Sequence, residues 1–183
     1  SYGRSIPYRP ILELVRKYLS LSDGMGGEEI RGRVAECLGL LGLGGEEGIT
    51  LLAHLLGVSA SQEFLNRVSG AELKARTFNV LRDVFLRASQ STPVVLIVEN
   101  VHWLDSSSEE FLAHLAGGLP NHRVLLVLST RPGFAAPWLA PPLAETITVE
   151  GLGAGDIAKN TDEARRVGPL GLVAAQAFPG LPE

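Results

Sequence analysis

The chain has 183 residues, 45% hydrophobic and 20% charged, with a formal net charge of -4. That length suits one domain, or one and a fragment, and the acidic balance argues against a direct nucleic-acid contact. No apolar run approaches the roughly 20 residues of a membrane span, and a single cysteine, Cys37, excludes a disulfide framework or a thiolate metal cluster.

Taken in chain order, the first half reads as helices. Pro10 suits a first helical turn, and Leu12, Val15 and Leu19 recur at helical spacing until Gly24, Gly26 and Gly27 break the run. A second stretch places Ile30, Val34, Leu38 and Leu41 on one face and stops at Gly42. A third, over residues 46–56, gathers Ile49, Leu52 and Leu56, and Gly57-Val58-Ser59 breaks it. After Gly70 comes the longest predicted helix, to about residue 88, with Leu73, Leu81, Val84 and Phe85 inward. Residues 90–93, Gln-Ser-Thr-Pro, form a predicted turn.

The character then changes. Residues 94–98, VVLIV, are uniformly apolar and mostly β-branched, the pattern of a strand in a parallel sheet with helices on both faces. A helix follows over residues 106 to about 115, with Ser106 and Glu109 spaced as a capping box and Asp105 adding favourable charge near its start. Residues 124–128 read as a second buried strand, a Pro-rich loop follows, residues 146–149 read as a short third strand, and residues 156–166 as a weaker helix. From Gly168 onward Gly, Pro and Ala dominate without a clear period. Strand, helix, strand, loop, strand implies an α/β fold, in which ligands bind beyond the carboxyl ends of the strands. Glu99 and Asn100 lie at one such end, Thr130 and Arg131 at the next.

An acid just past a buried strand can hold magnesium beside a phosphate chain, because that ion prefers oxygen ligands and keeps much of its water. In phosphate-loop hydrolases this element is the Walker B acid. An apolar run ending in an acid is by itself equally consistent with an ordinary buried strand.

The longer stretch "PVVLIVENVHWLDSSSEEFLAHLAGGLPNHRVLLVLSTRPG" resembles the AAA/STAND-type phosphate-loop ATPase domain of bacterial multidomain signalling proteins. These include adenylate/guanylate cyclase-like proteins with tetratricopeptide repeats and LuxR-type regulators. "SYGRSIPYRPILELVR" is similar to the stretch after the family's second strand, "LLAHLLGV" to its intervening helices, and "TITVEGLGAGDIA" to the start of its helical lid. The resemblance implies residues 1–150 as the central part of the ATPase domain and 151–183 as the start of the lid with an irregular tail. It implies ATP and Mg2+ as cofactors, Glu99 as the magnesium-side acid, and Asn100 where many relatives carry a second acid. Thr130 and Arg131 would sit where relatives sense the γ-phosphate. An amide can orient water but cannot act as a general base, so hydrolysis is expected to be slow or absent. Trp103 and His102 are expected to pack and orient the loop, Asp105 to cap a helix, and Trp138 to pack in its loop.

The phosphate cradle G-x-x-x-x-G-K-S/T does not occur in the sequence: none of Lys17, Lys74 and Lys159 follows a glycine. The resemblance places that cradle, with the family's first strand, before residue 1. Ser1 in place of Met, with no basic-then-apolar leader, fits a piece of a longer, cytoplasmic protein. Its expected partners are ATP and the other domains of the same chain, whether cyclase, tetratricopeptide or LuxR-type. No G-x-S-x-G elbow points to a hydrolase, and the four histidines show no close ligand pair. The alternative to a working switch is a degenerate nucleotide-binding fold kept as an interaction or regulatory scaffold.

Overall fold

The computed structural model describes residues 8–139 and 144–149. The chain divides into two compact units, Ser1–Glu145 and Thr146–Glu183.

In the first unit, helices α1 (Arg9–Tyr18), α2 (Gly27–Leu40), α3 (Glu46–Leu55), α4 (Gln62–Asn66) and α5 (Gly70–Ser91) precede strand β1 (Val94–Val98). A 3-10 turn (Val101–Trp103), helix α6 (Ser106–Gly118), strand β2 (Val124–Leu128) and a second 3-10 turn (Pro137–Leu139) follow. The helix faces follow from spacing. Ile30, Val34 and Leu38 of α2 are buried together, as are Ile11 and Val15 of α1, with Pro10 in its first turn. The inward residue of α1 is Ile11, Leu12 being only partly buried against the core. α4 carries no apolar periodicity and depends on its cap: Ser61 accepts a hydrogen bond from the Phe64 N–H. α5 runs to Ser91, past the expected stop near residue 88; Ser69 caps its start, and its end is held from outside. Arg123, just before β2, donates to the carbonyls of Ser89 and Gln90.

β1 and β2 pair in parallel from Val94↔Val124 to Val98↔Leu128, with α6 as the crossover. The expected two-sided cover does not hold among the described residues. Leu96 and Val98 face inward, onto a core that includes Ile11, Phe85, Phe111, Leu112 and Leu115, whereas Val95, Ile97, Leu125 and Val127 face outward and are exposed. A uniformly apolar strand cannot reveal which of its faces is covered, because alternate residues point opposite ways. Among the described residues the fold is thus mixed helix with a two-stranded parallel sheet, compatible with part of an α/β phosphate-loop fold.

Helix α6 also departs from expectation. Its N-cap is Asp105, not Ser106: the carboxylate accepts from the N–H groups of Ser107 and Ser108 and from the Ser108 hydroxyl. An acceptor one residue earlier reaches two orphan amides, so Ser106 becomes the first helical residue.

In the second unit, described residues 146–149 have no regular secondary structure, and Ile147 and Val149 are exposed. The third strand expected there does not form; Thr-Ile-Thr-Val has the propensity, but a strand exists only with a ladder partner. The helix expected over 156–166 and the tail lie outside the described residues. No described helix is long and apolar enough to cross a membrane.

Candidate functional site

The parallel register brings two chain exits to one end of the sheet. Past Val98↔Leu128, the chains leave as Glu99-Asn100 and Ser129-Thr130-Arg131. Ser129 stitches them together: its N–H donates to the Val98 carbonyl at 3.1 Å, and its carbonyl accepts from the Val101 N–H at 2.9 Å. Its hydroxyl accepts from the Asn100 N–H at 3.0 Å. Sequence reading passed over Ser129; the signal was a hydroxyl directly after an apolar run, at the point where β1's continuation needs an acceptor.

Glu99 stands exposed at the tip of β1, and among the described residues no hydrogen bond or ion pair engages its carboxylate. Asn100 has φ 57° and ψ 44°, the left-handed conformation. Among side-chain-bearing residues Asn tolerates that region best, so the turn into residues 101–103 supplies a conformational reason for Asn at this position. The other exit bends at Gly133, whose φ of +85° suits glycine. Thr130 and Arg131 are both exposed beside Glu99's strand end.

The loop after β1 carries an aromatic step. Trp103 is 67% exposed, and the Arg131 guanidinium lies over its ring, 4.8 Å from the centroid. The His102 ring lies against Trp103 at a centroid distance of 4.8 Å, with both its ring nitrogens buried and unpartnered among the described residues. Asp105 anchors the end of this loop. Burial pushes its carboxyl up, but hydrogen bonds from Ser108, Tyr8 and Ser107 outweigh that and leave it below the usual carboxylate range. The Tyr8 N–H reaches it from the start of α1 at 3.4 Å, so the cap also ties α1 to the loop. Asp105 is thereby committed to capping, as expected. Trp138 packs against the core and donates its indole N–H to Glu109 at 3.3 Å, which fits loop packing.

The sheet end therefore offers one open carboxylate, an open cation and a hydroxyl at the carboxyl ends of two adjacent parallel strands, the ligand-binding end of α/β folds. A single exposed carboxylate fits an ion such as magnesium that keeps most of its water and takes further oxygens from phosphate. Among the described residues no group of three or more His, Cys, Asp or Glu side chains could hold a metal by itself.

An open α/β strand end of this kind defines a class of ligand-binding domains. Within that class, the chain belongs to the AAA ATPase domain family, whose model matches residues 1–128. The family implies a nucleotide-binding, ATPase-type function with ATP and typically Mg2+. Glu99 and Asn100 fall within the matched span, while Thr130 and Arg131 lie just beyond it. A protein of Rhizobium meliloti (strain 1021), described as uncharacterized, is 30% identical over 91 residues, which cover 50% of this chain and 9% of that protein. The match thus takes in about a tenth of that relative's length. No solved structure matches.

Proposed function

We propose that the chain is the central part of a regulatory ATPase domain of the STAND type, serving a bacterial multidomain signalling protein with a cyclase, tetratricopeptide or LuxR-type output. In this reading Glu99 holds the magnesium side of the site, Asn100 orients the attacking water, Thr130 donates to the phosphate chain and Arg131 faces the γ-phosphate. Magnesium, when bound, neutralises charge on the phosphates. Asn100 lacks the basicity to remove a proton from water, so nucleotide binding outlasts hydrolysis and the domain acts as a slow switch. In this reading the start of the lid falls after residue 150.

The observation that carries this reading is the parallel register, which sets Glu99 and the Ser129–Thr130–Arg131 run side by side at one sheet end. Steady-state ATP turnover by the full natural chain, compared with its Glu99→Gln variant, tests it; equal turnover would remove Glu99 from the mechanism. Residues 1–183 alone, without a G-x-x-x-x-G-K-S/T cradle, are expected to bind ATP negligibly, and micromolar affinity in a Mg-ATP titration would contradict that.

One feature favours a second reading, a degenerate fold serving as a scaffold. Asn100 is accounted for by its left-handed backbone without any catalytic role. The readings separate on nucleotide dependence: a scaffold would give the same output with ATP, with ADP and with neither.

A further inference from the structure

We infer that Trp103 is a positioning residue for Arg131, holding the guanidinium over its indole ring so that the arginine N–H groups stay available for an incoming phosphate. The inference rests on the reading of Arg131 as the γ-phosphate contact and adds to it a side chain that reading leaves idle.

Three observations support it. First, the Arg131 guanidinium lies 4.8 Å from the Trp103 ring centroid. Second, the donors of Arg131 are uncommitted among the described residues. By contrast Arg82 donates to Asp83, Arg76 to Glu47 and Glu72, and Arg123 to two backbone carbonyls. An arginine held by a carboxylate spends its in-plane N–H groups on that partner; one held against an aromatic face keeps the whole fork available for bidentate recognition of an oxyanion. Third, Trp103 is 67% exposed but stands on a main chain that is held in place. Its backbone N–H donates to the Asn100 carbonyl at 2.9 Å, and Val101, two residues before it, is tied to Ser129. The His102 ring lies against it from the same turn. A large exposed indole on a stitched turn has no core to fill. Its position instead places a π face beside the β2 exit, where a flexible cation would otherwise sample open solvent.

The stack also links the two strand exits a second time, side chain to side chain, above the backbone links through Ser129. A phosphate meeting Arg131 would find its cation already at the sheet end, with less side-chain freedom to lose on binding.

The test uses the full natural chain, with ATP and ADP affinities measured by calorimetry in the presence of magnesium. Trp103→Ala is expected to weaken ATP about two- to fivefold, the scale of a solvent-exposed cation–π contact, while leaving ADP unchanged. Trp103→Phe, which retains a ring, should recover most of that loss and guards against a folding defect in the alanine variant. In an Arg131→Ala background, Trp103→Ala should have no further effect. If Trp103→Ala leaves the ATP-to-ADP ratio at its wild-type value while Arg131→Ala lowers it, the positioning role is wrong and the reading of Arg131 stands. Should Trp103→Ala weaken ATP and ADP equally, or add its full effect to Arg131→Ala, its role is structural and the inference is overturned. If Arg131→Ala itself leaves the ratio unchanged, or the chain binds neither nucleotide, the reading of Arg131 fails and this inference falls with it.

Discussion

On the inner face of the β1–β2 ladder, Leu96 and Val98 are 7% and 5% exposed; on the outer face Val95 and Ile97, equally apolar and one residue away, are 51% and 52% exposed. Leu125 and Val127 of β2 continue the open face. Parallel strands ordinarily bury both sides, since their crossovers lay helices on the sheet. Here α1, α5 and α6 all contribute to the one covered side. The difference locates the buried apolar surface of the ladder. It lies beneath, where the helices pack, so the ladder's top is expected to add little to stability, although both faces look alike as text.

The largest effects should come from beneath the ladder. Phe111, 1% exposed and edge-on to Phe78 at a centroid distance of 5.4 Å, should cost about 3–5 kcal/mol as Phe111→Ala, and Leu96→Ala about 2–5 kcal/mol, both read by urea denaturation. The outer face supplies the control. Ile97→Ala should cost under about 1 kcal/mol in residues 1–183, because its side chain gives up little buried contact. Equal costs for Leu96→Ala and Ile97→Ala would erase the distinction between the faces.

Where the ladder ends, the backbone itself becomes the constraint. Asn100→Val forces a β-branched residue into the left-handed region and should lower stability by about 1–2 kcal/mol, whereas Asn100→Gly should be close to neutral. A cost for the glycine variant as large as that for valine would mean that the amide, not the backbone, holds the turn.

Asp105→Ala removes the cap of α6 and should cost about 1 kcal/mol. Its pH dependence has a definite sign. The folded carboxyl lies below its ordinary value, so its contribution is complete above the usual carboxylate range and is lost as pH falls through the lower, folded value. Wild type and Asp105→Ala should therefore converge in stability in strong acid and diverge toward neutral pH. A difference independent of pH would show that the cap acts through packing and not through its charge.

How much of this was legible in the sequence follows the same division. Residues 94–98 and 124–128 were readable to the residue because a short apolar run between polar boundaries has little freedom of placement. Ile30, Val34 and Leu38 were readable because helical spacing repeats often enough to fix a face. The open side of the ladder was not, since pattern records the chemistry of a side chain and not the presence of a cover. The strand expected over 146–149 failed for a related reason: propensity is local, and a ladder partner is not. The candidate site was half visible. Glu99, Asn100, Thr130 and Arg131 stood out as polar residues after apolar runs, but Ser129 and Trp103 act through neighbours that only the register brings close.

The claim that Glu99, Thr130 and Arg131 form one magnesium–nucleotide site is tested most directly by the metal dependence of ATP binding in the full natural chain. Calorimetric titrations of wild type and Glu99→Gln, each with magnesium and with a chelator, would isolate the carboxylate's share. Wild type should bind ATP more tightly with magnesium than without, and Glu99→Gln should lose most of that difference while keeping its metal-free affinity. An undiminished magnesium effect in Glu99→Gln would place the metal elsewhere and leave the strand end without its assigned role.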